Sequence, residues 1–277
     1  MLTLEATMNL MNNSGGAASS LRKHLKAVGV AEWTDITRSS LYALRDHLSH
    51  SGLATGTQKT VMANLKSIMG RVRDEVSFPS DYAKILSVKS TQNLKTFLTE
   101  NDLKKLSDLQ VPIKTQQFVQ NVFLVCAYTG LRYSDAIKLT PENIDGDNLH
   151  YVAKKTKKVG AIPLKSGLAD RIKWIYENQD AKVSRCTYNR TTRKLCMRAG
   201  IDEDVLVFKR DTEMRGPKWQ FITSHSARVS TATCLSRRGV QIGDIQQLLQ
   251  HSSVAITEKY IVKDRIVLSS AAMEFFA

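Results

Sequence analysis

His225 and Arg228 form the pattern His-x-x-Arg in SHSARVSTATCL. Arg132 lies in TGLRYSDAIKL, straight after an apolar run and a glycine. His251 opens the stretch HSSVAITEKYIV, and Tyr260 stands near its end. On a helix, positions three apart share a face, so His225 and Arg228 can reach one ligand. Two arginines, two histidines and a tyrosine suit a DNA phosphodiester. Attack at phosphorus loads negative charge onto two non-bridging oxygens, and guanidinium forks meet that charge with paired hydrogen bonds. Fixed donors of this kind lower a reaction barrier by about 3 kcal/mol each. A histidine can donate a hydrogen bond or carry a proton. A tyrosine hydroxyl, whose ordinary pKa is about 10, becomes a nucleophile only among cationic neighbours. The oxygen that leaves needs a proton, which a lysine on a loop can bring. Such a site needs neither metal nor cofactor. The sequence offers no convincing Asp/Glu/His ligand cluster, which disfavours metal-dependent nuclease chemistry. Taken singly, each residue has a plainer reading: a helix-end arginine in a salt bridge, a surface histidine, a tyrosine packed by its ring.

The elements that must hold these residues can be read from spacing. Residues 1–15 look loosely ordered and end in NNSGG. Helical patterns follow in SSLRKHLKAVGV and in DITRSSLYALRDHLSH, the latter with Asp35 as N-cap and Leu41, Leu44 and Leu48 on one face. TGTQKTVMANLKSIMGRVRDE repeats the design, with Val61, Leu65, Ile68 and Val72 as its apolar stripe. Lys59, Lys66, Arg71 and Arg73 fall largely on its other faces, where non-specific phosphate contacts are expected. The pattern loosens at about residues 85–97, which gives a helical domain over 1–90 and a second domain over 98–277.

The second domain opens with Thr99 and Asp102 spaced as a capping box. TQQFVQNVFLVCAYTG reads as a buried helix stopped by Gly130, and LRYSDAIKLT as a short helix ended before Pro141. DGDNLHYVA and KVGAIPL read as two strands joined by the basic loop KKTKK. Helices are expected at about 166–177, 187–199, 225–238, 241–249 and 253–260. VLVFKRDTEMRGPKWQFITS reads as irregular, with a turn at Gly216-Pro217. The fold class is therefore mainly α with a small β-sheet.

Composition narrows the partners. Lys and Arg total 40 against 26 Asp and Glu, a net charge of +14 over 277 residues, which favours a polyanion, nucleic acid before an anionic membrane surface. No apolar run is long enough to cross a bilayer, and the first residues do not form a signal peptide. The four cysteines contain no CxxC pair, so a reducing, cytoplasmic setting is the default.

TGLRYSDAIKL, HSAR and LLQHSSVAITEKYI, in that order, resemble the signature segments of the tyrosine recombinases of the phage integrase family. That catalytic domain is also similar to the one in type IB topoisomerases. The resemblance covers about residues 98–277 and extends, more weakly, to a SAM-like core-binding domain in the helical first part. It implies that Arg132 and Arg228 clamp the scissile phosphate. His225 would accept or relay the nucleophile's proton, and His251 would bond a phosphate oxygen. Tyr260 would attack, leaving a 3′-phosphotyrosyl bond and a free 5′-hydroxyl. The family's hairpin lysine falls in KKTKK; Lys155 matches best, with Lys154, Lys157 and Lys158 still open. Asp135 takes an acidic position that orients its neighbours.

The resemblance further implies double-stranded DNA as substrate, a Holliday junction, and a homotetramer joined by the C-terminal segment in trans, for which Phe275 and Phe276 are suited. Accessory DNA-bending proteins, and a bacterial, phage or mobile-element source with the protein at the nucleoid, follow as expectations. The arm-binding domain of lambda-type integrases is expected to be missing or reduced. Two departures stand out. Gln250 replaces a usual glycine before His251, and Ile261 replaces a small hydroxyl residue after Tyr260. Alternatives to a recombinase are DNA relaxation of the type IB kind and a non-catalytic DNA-binding regulator. The first predicts sequence-independent relaxation by a monomer; the second predicts a lost reactive group.

Overall fold

The computed structural model describes residues 3–10, 15–88, 95–152, 159–209 and 211–262. The chain divides into two compact units, residues 1–93 with 208–212, and residues 94–207 with 213–277. No helix among the described residues is long and apolar enough to cross a membrane.

The first unit is helical, with α1 (Leu4–Asn9), α2 (Gly15–Ala27), α3 (Arg38–His50), α4 (Thr55–Arg71) and the single turn α5 (Tyr82–Ile85). Leu41, Leu44 and Leu48 of α3 and Val61, Leu65 and Ile68 of α4 are buried, as their helical spacing requires. Two details differ from expectation. The chain start is more ordered than its composition suggests, because Leu4 and Met8, four apart on α1, bury side by side in this core. Thr37, not Asp35, caps α3. Asp35 instead accepts the N–H groups of Ala31 and Glu32, each at 2.8 Å. The Glu32 bond and then the Ala31 bond hold its carboxyl below the usual range. Lys59 and Arg73 are exposed. Lys66 is occupied, donating to the Ala83 carbonyl at 2.8 Å, which weakens its reading as a phosphate contact.

The second unit is built around α7 (Lys114–Thr129), whose side chains from Phe118 to Ala127 are all buried. Helix α6 (Glu100–Asp108), the one-turn α8 (Tyr133–Ala136), α9 (Leu168–Glu177), α10 (Arg185–Arg198) and α11 (Ser224–Arg237) belong to this unit. Strands β1 (Ile144–Asp145), β2 (Asn148–Val152) and β3 (Val159–Pro163) make an antiparallel sheet in that order, with Tyr151 opposite Gly160 and Val152 opposite Val159. The KKTKK loop lies outside the described residues. Segment 204–217 is not irregular: β4 (Asp204–Lys209) pairs with β5 (Thr212–Pro217), and Gly216-Pro217 ends a strand instead of making a turn. Its charged residues mask the strand pattern, since β5 is mostly exposed. Helices α12 (Ile242–Leu248) and α13 (Val254–Glu258) complete the described part.

Thr99 and Asp102 form the expected capping box on α6. Asp102 also serves a buried ion pair, in which its Oδ2 accepts from Lys218 Nζ at 3.0 Å. Lys218 pairs with Glu203 as well. Burial pulls the Lys218 ammonium pKa down, but the hydrogen bonds to Glu203 and Asp102, with their charges, outweigh this and raise it. Removing one partner would leave an uncompensated buried charge. Lys218→Met is therefore expected to lower the unfolding free energy by about 3 kcal/mol in urea denaturation; a change near zero would show that the pair is dispensable.

Candidate active site

Helix α11 presents His225 and Arg228 on one face. Thr223 caps it in a reciprocal box with Ser226, and the Ser224 N–H donates to Asn189 Oδ1 at 2.8 Å. The Thr231 hydroxyl donates to the Ala127 carbonyl of α7 at 2.8 Å. The two motif-bearing helices are thereby fixed to each other.

Arg228 is 3 % exposed, and its guanidinium reaches two other turns. Nη1 donates to the Gly130 carbonyl at 2.5 Å, and Nη2 donates to the Leu249 carbonyl. Those carbonyls lie two residues ahead of Arg132 and His251. Gly130 makes this possible in two ways. Its φ of 73° ends α7 in the left-handed region, and a Cβ there would fall 2.6 Å from Leu249 Cδ2. After two bonds to carbonyls, a guanidinium keeps three further N–H groups. Arg228 Nε is buried without a partner. Burial, and then the like charge of Arg132, lowers the Arg228 pKa to about 10, so it stays protonated at neutral pH. Asp135, buried nearby, adds a counter-charge that favours the protonated form.

His251 is 5 % exposed. Its Nδ1 is within 3.0 Å of Thr257 Oγ1, and its Nε2 is buried with no partner. Gln250 takes φ 50°, the left-handed conformation that a glycine would adopt freely. The departure in sequence therefore leaves the turn's shape intact, at a conformational cost of about 1 kcal/mol. The Gln250 side chain is buried against β3, and a Cβ on Gly160 would fall 2.6 Å from Gln250 Nε2 and 2.7 Å from the Tyr151 ring. Gly160 thus accepts the larger residue. The charges of Arg228, Asp135 and Arg132 all reach Tyr151, so this end of the β2–β3 hairpin borders the site.

Tyr260 is half-buried among the others. Its ring centroid lies 4.5 Å from that of His251 and 4.9 Å from that of His225, the latter edge-on. Arg228 Cζ is 5.8 Å from the ring, and Lys95 Nζ is 4.7 Å from it. Thr233 Oγ1 donates to the Tyr260 carbonyl at 3.3 Å and accepts from the Val262 N–H at 3.1 Å. Five of the six expected residues are therefore described, and His225, Arg228, His251 and Tyr260 meet in one cluster. Arg132 is near enough for its charge to lower the pKa of Arg228 and of both histidines. Lys155 lies outside the described residues. Sequence reading missed Thr257, which orients His251, and Lys95, which falls in the loosened stretch before Thr99.

Both histidines are held neutral. Burial comes first for each, lowering the pKa to about 4. Lys95 and Arg228 follow for His225, and Arg228 and Arg132 for His251. Part of the His225 ring reaches solvent. Cations therefore dominate a site in which two buried nitrogen atoms lack partners, an arrangement suited to an anion.

The profile of the phage integrase family matches residues 96–265. The chain is 24% identical over 243 residues to tyrosine recombinase XerC of Roseiflexus sp. (strain RS-1), covering 83% of this chain and 75% of the relative. It is 26% identical over 233 residues to tyrosine recombinase XerA of Thermococcus kodakarensis, covering 83% and 79%. Its fold is similar to that of lambda integrase (75-356), solved as a dimer bound to a COC' core site, with a TM-score of 0.62, 16% identity and coverage of 97% and 98%. The Tn1549 transposon integrase, solved with transposon right-end DNA, gives a TM-score of 0.66 at 15% identity, covering 99% of each chain. The chain belongs to the phage integrase family.

A histidine whose folded pKa is depressed stabilises the fold above its unfolded pKa, and that stability is lost as pH falls toward the folded value. For buried His251, with a folded pKa of about 4, up to about 3 kcal/mol should disappear between pH 6.5 and pH 4. His251→Gln should flatten that acid limb in urea titrations across this range. An unchanged slope would show that His251 is not buried neutral.

Proposed function

We propose that this chain is a site-specific DNA recombinase that cleaves and rejoins duplex DNA through a 3′-phosphotyrosyl link, exchanging strands in pairs by way of a Holliday junction. One observation carries the reading: Arg228 Nε and His251 Nε2 are buried and unpaired beside the ring of Tyr260. A phosphate oxygen at this position would satisfy both.

In the proposed reaction, Arg132 and Arg228 hold the non-bridging oxygens and meet the charge that grows on them. With His251 Nδ1 as the acceptor in its contact with Thr257, Nε2 carries the proton and bonds the phosphate. Neutral His225 takes or relays the proton of the Tyr260 hydroxyl. The tyrosine oxygen bonds to phosphorus as the bond to the 5′-oxygen breaks. Lys155, or a neighbour in its loop, protonates that oxygen. In rejoining, a 5′-hydroxyl attacks the phosphotyrosine and displaces Tyr260. The covalent link conserves the energy of the broken bond, so the reaction requires no ATP and no metal.

Lambda integrase has been solved as a tetramer bound to a Holliday junction, and this chain shares its fold with a TM-score of 0.62 over 98% of its length. By the same logic four copies of the present chain would assemble on two sites, each passing its C-terminal segment to a neighbour. That segment, with Phe275 and Phe276, lies outside the described residues. The net charge of +14 supports double-stranded DNA as substrate, with the first unit adding backbone contacts. Accessory DNA-bending proteins and a cytoplasmic, nucleoid-associated setting complete the reading.

A nicked suicide duplex carrying the recombination site is expected to trap the wild-type chain as a covalent adduct, and Tyr260→Phe is expected to form none. An adduct with the phenylalanine variant would remove Tyr260 from its role. Arg132→Ala should slow trapping by about two orders of magnitude while DNA binding changes much less; equal losses in both would make Arg132 a binding residue.

A further inference from the structure

Lys95 is a cation at the nucleophile that the family motifs leave out. It stands near the start of the second unit, three residues before Leu98, whose N–H is anchored to Ser230 Oγ at 2.8 Å. Its Nζ donates to the Lys259 carbonyl at 2.8 Å and lies 4.7 Å from the centroid of the Tyr260 ring. Lys259 is the C-cap of α13, where backbone carbonyls lack helical partners and a cation is favoured. One ammonium therefore grips both the residue before the nucleophile and the nucleophile's own ring face. The histidines bound the ring elsewhere, at 4.5 Å and 4.9 Å. The Tyr260 carbonyl itself is held by the Thr233 hydroxyl, so Lys95 acts on the preceding carbonyl and on the ring.

We propose that Lys95 is a positioning residue: it seats Tyr260 in cis, against His225 and His251 of its own chain, before DNA arrives. This inference rests on the reading of Tyr260 as nucleophile. Burial, and then the like charge of Lys259, lowers the Lys95 pKa, a sign that the ammonium is partly stripped of water. A desolvated cation holds an aromatic face more firmly than one in solvent. Its charge also contributes to keeping both histidines neutral.

The test compares wild type, Lys95→Met, Lys95→Arg and Tyr260→Phe in the full chain. It uses nicked suicide duplexes at saturating concentration, made with either an ordinary 5′-oxygen or a 5′-bridging sulfur at the scissile phosphate. Sulfur leaves as a thiolate without needing a proton, so it rescues the loss of a general acid but not a misplaced nucleophile. Lys95 is only half-buried, and thermal unfolding should be unchanged in all variants. The methionine variant should trap about tenfold more slowly on both duplexes, and arginine should restore most of the rate because it supplies a cation and donors. If the sulfur duplex erases the methionine defect, Lys95 supplies a proton and the positioning role is overturned. Arginine no faster than methionine, or methionine as fast as wild type while phenylalanine is dead, likewise overturns it. An adduct with Tyr260→Phe overturns the nucleophile reading instead.

Discussion

A buried guanidinium must have partners, and Arg228 finds its partners in the main chain of two distant turns. By donating to the carbonyls of Gly130 and Leu249, it sets the turns that carry Arg132 and His251. The rest of the site follows from that constraint. Gly130 has no Cβ, so Leu249 can approach closely enough for its carbonyl to be reached. Helix α11 is locked to α7 through Thr231, so the guanidinium starts from a fixed place. What remains is an unpaired Nε beside a second arginine whose like charge pushes against it. Such an arrangement is costly in the empty protein and is relieved by an anion. The candidate site is arranged for an anion more than for its own stability.

The histidines divide the remaining work through their environments. Both are driven toward neutrality by burial and cations, yet their neighbours differ. His251 is fixed by Thr257 and points an unsatisfied nitrogen inward. His225 packs edge-on to Tyr260 with part of its ring in solvent, which suits a group that passes a proton. A phosphate bound between the arginines would add negative charge and pull both pKa values back up.

Most of the candidate site was legible in the sequence because its residues are concentrated in three short segments. Residue type and spacing name Arg132, His225, Arg228, His251 and Tyr260 directly. The fold class was legible for similar reasons: Leu41, Leu44 and Leu48 mark a helix face, and Thr99 with Asp102 marks a helix start. What escaped depends on tertiary contact or backbone conformation. Lys95 meets Tyr260 only through folding, and nothing in NLKTFLTE distinguishes it from a linker lysine. Gln250 hides a left-handed turn behind a residue type that seldom adopts one. Strand β5 is charged and largely exposed, and β4 holds the unbroken apolar run VLVF, so neither shows a clean alternation. Asp35 looked like an N-cap because it precedes a helix, but Thr37 is nearer and pairs with Ser40.

If the cluster around Arg228 delivers a phosphate to Tyr260, the covalent product must carry its nucleotide there. The most direct check is to digest the trapped protein–DNA adduct with trypsin and nuclease and locate the modified residue by mass spectrometry. The predicted result is a 3′-nucleotide phosphate on the peptide that contains Tyr260 and on no other. A nucleotide carried by any other tyrosine, or by a serine or histidine, would contradict the central role given to this cluster.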